Sequence, residues 1–296
     1  MKIVCYNACK KCKNLLIKSI DSIEKNNEDI IFIIFNNKIN HFYGFMTEKT
    51  DEYEYSKEDL IEIHKHCKNL LIINIDKWMD IFDEVKPLKN QTNTYARLLY
   101  SRVFQKLINV YESHEDGSLK EINQIENNTK NNIIKDVIEV LQEKQKFIYC
   151  DEDVYCNGNI DKFWNLEFDE DVLGFIDRNI YGNDKYYFLR EQYMNAGLLQ
   201  IKLLFNILDS IKLINILIIE KIFNNIYFHD QFILNFYSKY LIDCYTRKTV
   251  NVWIVSTSIT YNQLKLFNIC HTWEYRNNME KYEIEKNKYK NLIELI

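Results

Sequence analysis

Residues 30–35 read Ile-Ile-Phe-Ile-Ile-Phe, an apolar run with no polar alternation. Its shortness and β-branched content favour a strand over a helix, and without a polar face both sides of that strand must be covered. The flanking sequence supplies the cover. Lys2–Tyr6 reads as a strand and Lys13–Glu24 as a helix with Leu16, Ile17, Ile20 and Ile23 on one face, so the three segments make a βαβ unit. Downstream, Ser56 and Asp59 have capping-box spacing and open a helix to about residue 67, after which 70–75 is another apolar strand. The fold class is α/β, and a nucleotide-binding parallel sheet with helices on its faces is the economical arrangement.

Residues 94–109 and 131–144 resume helical periodicity, and the polar, poorly periodic stretch 111–130 between them reads as an inserted loop. A short strand, 147–150, then ends on Asp151-Glu152-Asp153. In open α/β sheets ligands bind beyond the carboxyl ends of strands, so this acidic turn is expected at a binding edge. The second half is less regular. It reads as a helical turn at 161–166, strands at Val172–Ile176 and 198–201, helices through 223 and over 230–237, and strands near 241–244 and 251–255. Residues 276–296 alternate Lys with Glu and read as an exposed C-terminal helical tail whose apolar end, 292–296, leaves a peripheral membrane contact open.

At 296 residues, with one proline and six glycines, the chain suits one large domain better than two joined by a flexible linker. A net charge of −5 argues against a general nucleic-acid binder, which needs a basic surface. The longest apolar region, 203–223, is interrupted by Asp209, Lys212, Glu220 and Lys221 and so does not read as a transmembrane segment. No signal-peptide pattern opens the chain, and eight scattered cysteines suit reduced thiols, so a cytoplasmic location is expected. Cys9 and Cys12 have a metal-clip spacing without a second pair to complete a zinc site, and they read as free thiols. His64, His66 and Cys67 read as a solvated helix end rather than a metal site.

Two carboxylates one residue apart on a turning strand end can converge on one hard cation, and a cation neutralises a diphosphate as it leaves. In a chain with 43 acidic residues such a pair is a weak signal alone. Its surroundings add to it. The phrase Phe-Ile-Tyr-Cys-Asp-Glu-Asp-Val at 147–154, followed by Asn159 to Trp164, resembles the D-x-D segment of the family 8 glycosyltransferases. Tyr95-Ala96-Arg97-Leu98 is similar to the family's helix before that strand, and Leu173-Gly174-Phe175-Ile176-Asp177 to the strand after it. Met194-Asn195-Ala196-Gly197-Leu198-Leu199 resembles its Asn-Ala-Gly motif, and Asp230-Gln231-Phe232-Ile233-Leu234-Asn235 its Asp-Gln motif.

The resemblance implies a GT-A fold, a single Rossmann-like nucleotide-binding domain over 1–275 with a mixed central sheet flanked by helices. It implies manganese, with magnesium as the alternative, and a retaining transfer of a hexose, glucose or galactose, from a UDP-sugar to a glycan, lipopolysaccharide or protein-linked acceptor. Asp151, Asp153 and His271 would hold the metal. Asn7, Arg97, Glu152, Asn195, Ala196, Gly197 and Arg276 would bind the donor with them, Arg97 by offering a planar fork to phosphate. Gln231 and Asp230 would stabilise an oxocarbenium-like sugar, and Asp177 would reach the sugar or acceptor. The chain departs from the pattern after its first strand, where Tyr6-Asn7-Ala8-Cys9 stands in place of the usual acidic base-binding residues. It departs again after His271, where Thr272-Trp273-Glu274 replaces a glycine and lysine. A catalytically degenerate GT-A fold that binds nucleotide-sugar or glycan without turnover is the competing reading, and a metal-dependent nucleotidyltransferase a third.

Overall fold

The computed structural model describes residues 1–7, 10–36, 55–75, 96–113, 130–156, 158–176, 194–205, 247–250 and 269–271. Strand β1 (Lys2–Tyr6) leads through a 3-10 turn (Lys10–Cys12) into helix α1 (Lys13–Glu24), and the chain returns as β2 (Ile30–Asn36), paired parallel to β1. Every residue of β2 is buried, as an apolar run without alternation requires. Each fully buried Ile or Phe in it is worth about 1.5–3 kcal/mol over an exposed one. Helix α2 (Lys57–His64) starts on the capping box expected from Ser56 and Asp59, each side chain bonding the other's backbone N–H, and leads to β3 (Leu70–Asn74), parallel to β2. Lys13 of α1 ties the cap down at 2.7 Å from Asp59 Oδ1. Burial pushes the Asp59 carboxyl up, but the Lys13 ammonium and the Ser56 donors outweigh it and hold the group at about 2.

Residues 96–99 form a 3-10 turn before helix α3 (Tyr100–Ser113), and α4 (Lys130–Lys144) follows. Both helices extend into the segment read as an inserted loop, α3 through Tyr111 to Ser113 and α4 from Lys130, while residues 114–129 lie outside the described residues. Helix α4 packs over β1, β3 and β4 (Lys146–Cys150). It stops abruptly because Gln145 takes the left-handed conformation (φ 53°) while its N–H bonds back to Leu141 O, and β4 begins at the next residue. Helix α3 is pinned by aromatics: Tyr100 stacks on Phe35 at 3.8 Å between ring centroids, and Phe104 meets Phe147 edge-on at 5.0 Å.

After β5 (Val154–Cys156) and the one-turn helix α5 (Asp161–Trp164), the chain adds β6 (Val172–Ile176), β7 (Met194–Lys202), β8 (Arg247–Val250) and β9 (Ile269–His271). The main sheet has the order β3-β2-β1-β4-β7-β6-β8, and β5 pairs with β9 in a separate two-stranded ribbon. β1 to β4 run parallel, β7 is antiparallel to both β4 and β6, and β8 is parallel to β6. The sheet is therefore mixed and flanked by helices. The chain winds outward from β1 to β2 and β3, then crosses back to place β4 on the other side of β1, so the topological switch point falls between β1 and β4.

One sequence expectation changes in the second half. The strand read at 198–201 begins four residues earlier, at Met194, so the Asn-Ala-Gly segment is part of the strand; it pairs with β6 through a bulge at Gly174/Phe175. Sheet pairing there overrides the poor strand propensity of Asn and Gly. β8 lies between the strands expected near 241–244 and 251–255, and 206–246, 251–268 and 272–296 lie outside the described residues. No helix among the described residues is long and apolar enough to cross a membrane.

Candidate functional site

Several predicted residues meet at one edge of the sheet. Asn7 follows β1, and Asp151 follows β4, whose Cys150 is in register with Tyr6; the two sit on either side of the switch point. β7 delivers its amino end to the same edge, because Cys150 pairs with Leu198 in antiparallel register. The ladder continues one residue further, with Asp151 N–H donating to Gly197 O at 2.8 Å. Ala196 and the Asn195 backbone are thereby brought beside the acidic turn.

The turn itself is tight, Val154 N–H donating to Asp151 O at 3.1 Å, and it buries Glu152 and Asp153 at 4% and 2% exposure. Asp151 is held from two sides. Tyr149 Oη donates to Asp151 Oδ1, and Arg97 Nη2 lies 3.3 Å from the same oxygen. Arg97 also donates through Nη1 to Ala196 O at 2.5 Å and lies over the Tyr149 ring, 4.6 Å from its centroid. The guanidinium expected to meet phosphate thus also clamps the acidic turn to β7. Burial pushes the Tyr149 phenol well up; Arg97 acts against this and Asp151 with it, so the hydroxyl is a donor at any physiological pH.

His271 lies 118 positions beyond Asp153 in the chain, yet it ends on the strand that pairs with β5: its backbone is in register with Val154, next to Asp153. The other edge of β5 is bound by side chains of α1. Ser19 Oγ donates to Val154 O (2.5 Å), Ser22 Oγ accepts from Cys156 N–H (2.9 Å), and Asn26 Nδ2 donates to Cys156 O (3.2 Å). These three residues recur at i, i+3 and i+7, one stripe of the helix, and they hold the strand that follows the D-x-D turn. Tyr6 Oη completes the arrangement at 2.8 Å from Ser19 Oγ.

The donor set suits a hard divalent cation, since Asp151 and Asp153 supply carboxylate oxygens at a strand end and buried acidic charge is eased by a cation. Among the described residues no three His, Cys, Asp or Glu side chains gather as a metal-binding group, and the description of His271 stops at its backbone. Asp177, which directly follows β6, and Asp230, Gln231 and Arg276 lie outside the described residues.

The His64-to-Cys67 spacing is structural, and Cys9 lies outside the described residues. His66 Nδ1 meets Asp21 Oδ1 at 2.8 Å, joining the end of α2 to α1, and the buried Cys67 thiol faces Ile63 O. Burial, with Glu24 and Asp21 adding to it, pushes that thiol up to about 12. Cys12 is buried at the start of α1, and the buried thiols of Cys5, Cys67, Cys150 and Cys156 are free.

No protein-family model and no curated protein sequence matches the chain. Among solved structures it is similar in fold to the galactosyltransferase LgtC in complex with donor and acceptor sugar analogues, at 16% identity over 79% of this chain and 69% of that one, TM-score 0.46. It is also similar to the glycosyltransferase GlyE of Streptococcus pneumoniae TIGR4, at 14% identity, 84% and 45% coverage and TM-score 0.46. A third likeness is to mouse xyloside xylosyltransferase 1 in its apo form, at 8% identity, 92% and 97% coverage and TM-score 0.43. At these identities and scores the roles of individual residues rest on the chain's own geometry.

Proposed function

We propose that this protein is a metal-dependent retaining glycosyltransferase that moves a hexose from a UDP-sugar to a glycan, lipopolysaccharide or protein-linked acceptor. One observation carries the reading: a D-x-D turn at the sheet's switch point is followed by a strand whose partner ends on His271, the residue that the family resemblance nominates as third ligand. Two aspartates at a strand end are common, but a distant histidine in register beside them is not an expected consequence of burial or propensity.

In this reading Asp151, Asp153 and His271 would hold manganese, or magnesium in its place, which would supply positive charge against the leaving diphosphate. Asn7 and the backbone around Glu152 lie along the nucleoside, and Arg97 and Arg276 add positive charge. Asn195, Ala196 and Gly197 border the sugar, where small residues let the ring come close. The C1–O bond to the diphosphate breaks and the bond from the acceptor oxygen to C1 forms on the same face, while the acceptor proton passes to the departing phosphate oxygen. Gln231 and Asp230 stabilise the positive charge that develops on the sugar, and Asp177 orients sugar or acceptor. The free, buried thiols fit a cytoplasmic setting.

A panel of UDP-sugars supplied with manganese and candidate acceptors, read by UDP release, is expected to single out one or two hexose donors. The anomeric configuration of the product, read by NMR, is expected to match the donor's. An inverted product contradicts the mechanism, and no UDP release from any donor with any acceptor supports binding without turnover.

A further inference from the structure

Tyr149 and Asp151 are two positions apart where β4 ends, so their side chains leave the sheet on the same side. The Tyr149 hydroxyl uses that placement to donate to Asp151 Oδ1, the oxygen that Arg97 Nη2 also approaches at 3.3 Å. The Arg97 guanidinium in turn lies over the Tyr149 ring. Hydroxyl, ring and guanidinium close a three-membered set of contacts around one carboxylate.

The ring of Tyr149 has its own packing, 5.8 Å from the Tyr100 ring centroid and against Arg97, and a phenylalanine would keep both contacts. What the hydroxyl adds is the bond to Asp151. That carboxylate is less enclosed than its neighbours, with 24% of its side chain exposed against 2% for the Asp153 residue, and so has the more rotational freedom to lose. A carboxylate that must meet a cation in one orientation is commonly fixed by such an outer hydrogen bond.

We propose that Tyr149 is a positioning residue of the cation site: its hydroxyl, backed by Arg97, fixes the Asp151 carboxylate in the orientation from which it takes a divalent cation together with the donor's diphosphate. The proposal rests on the reading of Asp151 as a metal ligand given above. It adds a residue that touches neither cation nor sugar and acts through Asp151.

The test is a titration of Mn2+ into the full-length protein in the presence of UDP, with free Mn2+ read by electron paramagnetic resonance. Wild type, Tyr149→Phe and Arg97→Lys are compared, with the thermal midpoint and metal-free UDP binding measured alongside. Tyr149→Phe is expected to weaken Mn2+ binding by about tenfold while the midpoint and metal-free UDP binding stay at wild-type values. Arg97→Lys keeps the charge but gives up the planar fork, and it is expected to weaken Mn2+ in the same direction. Wild-type Mn2+ affinity in either variant overturns the proposal, as does a Tyr149→Phe loss matched by equal losses in midpoint and metal-free UDP binding. A wild-type protein that binds no Mn2+ overturns the cation reading itself, an outcome distinct from a silent Tyr149→Phe.

Discussion

Arg97 shows how much one side chain carries at this site. It is 9% exposed, and its guanidinium joins the Ala196 carbonyl, the Asp151 carboxylate and the Tyr149 ring, so removing it takes a charged donor from a carbonyl and from a carboxylate at once. Arg97→Ala is expected to cost about 1–3 kcal/mol in urea denaturation, with part of the loss appearing as disorder of the turn that presents Asp151. An unchanged unfolding midpoint would mean that solvent replaces the guanidinium without penalty. Asp151 and Asp153 were legible in the sequence because a buried strand ends on them. Tyr149 was not, since one of 21 tyrosines on an apolar strand reads as core until its hydroxyl is seen on Asp151. Ser19, Ser22 and Asn26 were hidden differently: a polar stripe on a helix looks the same whether it faces water or the edge of β5.

At the scale of elements, the long apolar segments were legible and the short ones were not. β1, α1 and β6 have the bounds that their apolar patterns predict, because each carries enough buried side chains to fix its own period. β5 and β9, three residues each, have no period to read; they pair with each other, and side chains of α1 bind β5. The 3-10 turn at 96–99 interrupts a segment read as continuous helix, and there the backbone turns Arg97 towards the site. Register between β6 and β7 depends on Gly174, where an added Cβ would collide with Met194 Cγ and Sδ and come within 2.9 Å of Leu199 Cδ2. Gly174→Ala is therefore expected to cost about 1–3 kcal/mol by overpacking, measured by chemical denaturation. Because β7 also carries Asn195, Ala196 and Gly197, the variant should raise KM for the donor more than an equally destabilising change in α2. A neutral effect on both would show that the two strands can slide apart at the bulge.

At the scale of the molecule, one edge of one sheet collects residues from far apart in the chain. β1 brings Asn7, β4 brings the acidic turn, β7 arrives antiparallel with its small-residue start, and the β5–β9 ribbon carries His271 back to the residue after Asp153. The parallel half of this arrangement follows from apolar runs alternating with amphipathic helices. The antiparallel half follows from pairings between distant short segments that no local pattern announces. This edge is proposed to bind a nucleoside diphosphate through a divalent cation held by the D-x-D turn. Calorimetric titration of UDP into the protein, with Mn2+ or with chelator, in wild type and Asp153→Ala, tests it most directly. Mn2+ is expected to strengthen UDP binding to the wild type and to have no such effect on Asp153→Ala, whose fold is retained; equal UDP binding with and without the metal, or the same enhancement in both proteins, would rule this binding mode out.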